Sequence, residues 1–123
     1  MGDLSKAFSR WEFACNCGCG FDTVDIETLE VVQEIRDHFN ARVSVSSGCR
    51  CRYWNAHEGG APDSLHVHAR AADISVAGVH PDKVADYLEA KYPDRYGIGR
   101  YNTFTHIDTR SGHTARWDKR TSV

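Results

Sequence analysis

The sequence predicts an α+β fold, with a small, mostly antiparallel sheet and flanking helices. Two stretches of helical period, several short alternating segments and the lack of regular alternation between the two kinds point to it. The first helix is expected from Asp25 to Phe39. Ile26, Leu29, Val32, Ile35 and Phe39 form its apolar stripe, and Asp22 or Thr23 is placed to cap it. Arg42–Ser46 alternates polar and apolar and reads as a half-buried strand. Ser47 to Asp63 holds Gly48, Gly59, Gly60 and Pro62, so it reads as loop with one helical turn around Tyr53–His57. A strand at Ala71–Val76 follows. The second helix spans Pro81–Lys91, with the proline suited to its first turn and Val84, Tyr87 and Leu88 facing inward. Gly97–Tyr101 and Phe104–Thr109 read as a strand pair, and Ala115–Trp117 as a last short strand.

With 123 residues, 41% of them hydrophobic and 26% charged, the chain is expected to form one domain, residues 1–123. No repeat or linker divides it. A net charge of -2 and a pI near 6.4 argue against nucleic acid as a partner. The nearest basic cluster, Arg116 to Arg120, is interrupted by Trp117 and Asp118. No apolar run approaches the roughly 20 residues of a membrane span. The start, Met1-Gly2-Asp3-Leu4-Ser5-Lys6, lacks the pattern of a secretory signal, so synthesis in the cytoplasm is expected. A monomer is expected as well.

The segment richest in chemistry is Ser64-Leu65-His66-Val67-His68-Ala69-Arg70-Ala71-Ala72-Asp73. His66 and Asp73 can share one metal from a single helix face, or from a loop followed by a strand. Ile74, Ser75 and Val76 after Asp73, with Gly60 and Pro62 before His66, favour loop then strand. Downstream, Thr105-His106-Ile107-Asp108 would turn His106 and Asp108 to one side of a strand. Two imidazoles and a carboxylate leave one tetrahedral position on Zn²⁺ for water, the pattern of catalytic zinc. Zinc so held brings the pKa of water to about 7 and polarises a carbonyl.

Ser64-x-His66-x-x-Ala69-x-Ala71-x-Asp73 resembles the S-x-H-x-x-G-x-A-x-D signature of the D-alanyl-D-alanine metallocarboxypeptidase family. That family is grouped with lysostaphin-like peptidases and the hedgehog signalling domain. Ser47-Gly48-Cys49-Arg50 resembles its S-G-Y-R segment, and Gly59 to Ser64 its glycine-rich approach. Phe104 to Asp108 resembles its late H-x-D strand, and Arg116-Trp117 its closing R-W pair. The resemblance implies a hedgehog-like peptidase fold with zinc on His66, Asp73 and His106. It also implies hydrolysis of peptide bonds in bacterial peptidoglycan, of D,D-carboxypeptidase or endopeptidase type, by a phage-type cell-wall enzyme. The L-Ala–D-Glu bond is an alternative target. A zinc-stabilised binding module without catalysis is the alternative from another class. Where the motif has glycine, Ala69 implies a backbone angle that alanine can adopt.

By the same resemblance, Arg50 holds a substrate carboxylate or assists the carbonyl oxygen. Relatives carry an acidic residue three before the last histidine; here that position is Thr103, which cannot move a proton. Asp108 is therefore expected as the general base, or else as the partner that orients His106, with His113 a more remote candidate. Ser64 is expected to support the metal loop or touch substrate, and His68 to stand at the rim or bind substrate. Trp11, Phe13, Tyr53, Trp54 and Trp117 are expected in the core or the cleft wall. The cysteines fall into Cys15/Cys17/Cys19 and Cys49/Cys51. A four-thiolate zinc site and a disulfide between the groups are open to them, but reduced thiols packed as small apolar side chains are the expectation.

Overall fold

Asp25 opens the first helix by accepting a hydrogen bond from the Glu27 N–H at 3.1 Å. Helix α1 thus runs Ile26–Phe39, capped by Asp25 rather than by Asp22 or Thr23. It ends where Asn40 turns left-handed at φ 47°. The computed structural model describes residues 2–121; Met1, Ser122 and Val123, the ends of the expected 1–123 domain, lie outside the described residues.

Strand β1 is Val43–Ser47, helix α2 Arg52–His57, strand β2 Ala71–Val76 and helix α3 Pro81–Lys91. Strands β3 (Gly97–Arg100), β4 (Thr105–Asp108) and β5 (Ala115–Asp118) complete the sheet. One element was not anticipated: a 3₁₀ turn at Arg10–Phe13. Its first turn is fixed by Glu12, whose carboxylate accepts from the Ser9 N–H at 2.7 Å.

The five strands lie in the order β1-β2-β4-β3-β5. Neighbours are antiparallel except β3 and β5, which are parallel. The exception arises because the chain leaving β4 reverses and passes beyond β3 to the sheet edge. Helices α1 and α3 pack on one face. There Val32, Ile35, Val84 and Leu88 meet Ala72, Ile74, Ile98 and Ile107 in the core. Val31 is buried too, whereas Ile26, expected in the stripe, is 71% exposed on the opening turn. Phe13 is buried, but Trp11 and Tyr53 stand in solvent rather than in core or cleft wall. No helix among the described residues is long and apolar enough to cross a membrane.

Glu34 ties the two helices together. It accepts hydrogen bonds from Tyr87 at 2.6 Å and Tyr92 at 2.5 Å, and pairs with Lys91. Burial pushes its carboxyl up, but Lys91 and the two phenols outweigh that and hold it below its ordinary value. A depressed carboxylate contributes stability above its unfolded pKa and loses it as pH falls through the folded one. Glu34→Gln is expected to cost about 1–2 kcal/mol at neutral pH. The deficit should shrink at an acid pH below the lowered pKa of folded Glu34, where the wild-type side chain is protonated too. Urea unfolding of both chains at the two pH values measures this.

The turn before β2 carries a backbone compromise. Ala69 is buried at φ 59°, in the left-handed region, which costs a non-glycine residue about 1–2 kcal/mol. Alanine does adopt the angle, but under strain. Ala69→Gly is expected to leave stability unchanged or raise it by about 1 kcal/mol, with loss of the buried methyl offsetting part of the relief. Ala69→Val should be clearly destabilised, because a β-branched residue tolerates this region least. Thermal unfolding of both variants checks the ordering.

Candidate metal centre

Side chains alternate across a strand, so the residues that turn from the helices reach the opposite face together. On that face Asp73 of β2 sits opposite His106 of β4, His106 opposite Gly99 of β3, and Gly99 opposite Trp117 of β5. The adjacent row runs Ala71, Asp108, Gly97 and Ala115. The β3 glycines are required by close approach. A Cβ on Gly97 would lie 2.4 Å from an Asp108 oxygen, and one on Gly99 would lie 2.4 Å from the Trp117 indole nitrogen.

His66 comes to the same place from a turn, as the loop-then-strand reading expects. The Val67 N–H donates to the Ser64 carbonyl, the His68 N–H to Leu65 and the Ala69 N–H to His66. Ser64 steadies this turn by accepting from the His66 N–H at 3.2 Å through its hydroxyl. The turn also separates the two histidines. His66 is buried, whereas His68 is exposed and absent from the cleft wall. The alternation that would have aligned them holds only in extended chain.

His66, Asp73 and His106 are all buried, and one ligand atom from each lies within 4.8 Å of the others. Each imidazole has its other nitrogen engaged. His66 Nδ1 is 2.6 Å from the Gly48 carbonyl, which can only accept, so Nδ1 carries the proton and Nε2 is free to bind. His106 Nε2 is 2.8 Å from Asp108 Oδ2, and its Nδ1 lies 2.9 Å from Asp73 Oδ1. Burial disfavours a charged His106, but Asp108 and Asp73 outweigh it and raise its pKa. Burial likewise works against an ionised Asp73, yet hydrogen bonds from His106 and His66 hold its carboxyl well below the usual range. The centre is thus built for a positive charge. Nδ1 of His106 would exchange its proton for a divalent cation. Two nitrogens and one carboxylate fit zinc with one position left open.

Asp108 is fully buried and its carboxylate is crowded with donors. Arg110 reaches Oδ1 through Nε and Oδ2 through Nη2, both at 2.8 Å, and the Gly97 N–H donates to Oδ1 at 3.1 Å. Burial notwithstanding, Arg110 and His106 keep this carboxyl well below its ordinary range. Arg50 stands beside Asp73, with Nη2 3.5 Å from Oδ2. It is steadied by Ser47 Oγ at 3.1 Å and Asn55 Oδ1 at 3.2 Å.

A cleft of about 520 Å³ opens over the cluster, and its wall includes Arg50, Ser64, His66, Asp73, His106 and Asp108. Arg110, Tyr101, Asp63 and Lys119, which sequence reasoning did not single out, line it as well. Arg110 lies two residues beyond Asp108, a spacing that could have flagged it as the aspartate's partner. Tyr101 is placed by Trp117, whose indole N–H donates to its hydroxyl at 3.0 Å. Trp117 is indeed cleft wall. His113 is exposed, with Nε2 3.5 Å from Arg110 Nη1. It is outside the cleft lining.

The five cysteines are free thiols. Cys49 is packed as expected, its Sγ 3.2 Å from the Phe13 carbonyl and 3.1 Å from that of Phe21. The other four depart from the expectation: Cys15, Cys17, Cys19 and Cys51 gather with their sulfur atoms within 4.8 Å of one another.

A search among curated proteins finds no match. A family model described as Peptidase M15 matches residues 6–108, a span that contains all three buried ligands, Arg50 and Asp108. A match over so much of the chain, on a mixed α+β sheet with the His66/Asp73/His106 cluster on its open face, places this chain in the peptidase M15 family.

Proposed function

We propose that the protein is a zinc peptidase that hydrolyses peptide bonds in bacterial peptidoglycan, of D,D-carboxypeptidase or endopeptidase type. The observation that carries the reading is the convergence of His66 Nε2, Asp73 and His106 Nδ1 beneath an open cleft. Membership in a peptidase family supports metal-dependent catalysis in general. The substrate rests on the motifs shared with cell-wall peptidases, as does action at the wall after release from the cell or as part of a phage particle.

Zinc at the three ligands supplies electrophilic activation of water and of the scissile carbonyl. The chain does the rest. The Gly48 carbonyl and Asp108 each fix one imidazole, so both ligand nitrogens point at a single place. Arg50, held by Ser47 and Asn55, presents a planar guanidinium to a substrate carboxylate or to the developing oxyanion. Of the two roles expected for Asp108, the geometry favours orienting His106. Its oxygens are already occupied by Arg110, His106 and the Gly97 N–H. Asp63, Tyr101 and Lys119 are further groups on the wall that can carry a proton.

Zinc-loaded protein incubated with defined muropeptides, with product masses read out, tests the proposal. Release of terminal D-alanine or cleavage of a D,D-cross-link is expected. Products cut only between L-alanine and D-glutamate would move the assignment to that bond, and a folded, zinc-loaded chain that cuts none of them would leave a binding module. Arg50→Ala should lower kcat/KM at least about 30-fold, corresponding to about 2 kcal/mol, with zinc content unchanged. Asp108→Ala should weaken zinc binding about 10- to 100-fold in competition with a chelator. An affinity equal to wild type would argue against the orienting role.

A further inference from the structure

Cys15-x-Cys17-x-Cys19 does not have the spacing of common zinc fingers, and Cys51 is remote in sequence. The fold nevertheless brings the four together. Cys15 Sγ is 3.5 Å from Cys17 Sγ and 3.9 Å from Cys51 Sγ, and Cys17 and Cys51 are 3.7 Å apart. Zinc–sulfur bonds of about 2.3 Å at tetrahedral angles put sulfur atoms about 3.8 Å apart. These three edges match that figure. They are far longer than a disulfide, which needs about 2.05 Å.

Apolar packing does not account for the arrangement. Only Cys15 of the four is buried; Cys17 and Cys51 are half-buried and Cys19 is exposed. Thiols that gather at a surface gain little from being shielded there. Two of the sulfurs also accept backbone hydrogen bonds, the Cys51 N–H donating to Cys15 Sγ and the Trp54 N–H to Cys51 Sγ, both at 3.4 Å.

The cluster sits where it can act on the peptidase site. Gly48 to Cys51 is sandwiched between two loops. On one side the Cys49 N–H donates to the Phe13 carbonyl at 2.9 Å, and Asn16 Nδ2 donates to the Ser46 carbonyl at 2.9 Å. On the other, the Arg50 N–H donates to the His66 carbonyl at 2.9 Å, and the Gly48 carbonyl holds His66 Nδ1. Cys51 is thus the covalent end of the strip that orients His66 and carries Arg50.

We propose that Cys15, Cys17, Cys19 and Cys51 form a second, structural tetrathiolate centre for Zn²⁺, which clamps the N-terminal loop onto the Gly48–Cys51 strip. It is independent of the His66/Asp73/His106 centre.

The test loads the full chain, purified under reducing conditions, with Co²⁺ or Zn²⁺. Two zinc ions per chain are expected. His66→Ala should keep one metal, and its cobalt form should show intense thiolate-to-cobalt charge-transfer absorption. Cys19→Ser, a change at the exposed ligand, should weaken that absorption and lower metal affinity while the histidine centre keeps its own ion. In His66→Ala, zinc should slow amide hydrogen exchange across residues 47–52. Wild type that binds one cobalt without thiolate absorption, with none bound by His66→Ala, overturns the proposal and leaves the peptidase reading standing. Cysteine pairs found as disulfides by mass in freshly isolated protein also overturn it. Wild type that binds a single ion with thiolate absorption, and none at the histidine centre, sinks the peptidase reading but not this one.

Discussion

The pairing of β2 with β4 is the constraint on which the rest depends. Its register sets Asp73 directly opposite His106. Because side chains alternate, the same register sends Ala72, Ile74 and Ile107 into the core and Asp73, His106 and Asp108 to the open face. A slip of one residue would exchange the two sets, burying the carboxylates among α1 and α3 and exposing the core. The energy of the apolar face therefore fixes the geometry of the polar one.

That polar face is costly on its own. Asp73 and Asp108 are buried carboxylates, and a buried charge is tolerated only when paired and hydrogen-bonded. Arg110 answers Asp108 bidentately, and His106 bridges the two carboxylates. The arrangement is graded: Arg110 secures Asp108, Asp108 secures His106, and His106 faces Asp73 across the site of the proposed zinc. Cations outside and ligands inside keep the centre assembled before any ion arrives, so little reorganisation is required on binding.

The parts of the molecule that do not belong to the sheet converge on the same centre. The turn at Ser64–Ala69 delivers His66, and accepts strain at Ala69 to do so. The strip from Gly48 to Cys51 supplies a carbonyl to that histidine and an arginine to the cleft. The cysteine cluster lies at the far end of this strip, so a clamp there would stiffen the loop-borne half of the site. The β2–β4 pair already stiffens the other half.

The sequence by itself determined the elements and the three residues of the candidate metal cluster. Helical period located α1 and α3, short strand-like segments located the sheet, and five motifs in order, by their resemblance to a family signature, singled out His66, Asp73 and His106. These are properties of short stretches, and a single chain carries them openly. Capping by Asp25, exposure of Ile26 and the parallel β5 were beyond it, because each depends on how an element meets its neighbours. The same holds for chemistry. That Asp108 is filled by Arg110 and Gly97, that His68 turns away from His66, and that Cys51 joins three cysteines more than thirty residues earlier were decided only by tertiary structure. Spacing along a chain says which groups can share a face; whether a buried donor or acceptor is already satisfied is a property of everything packed around it.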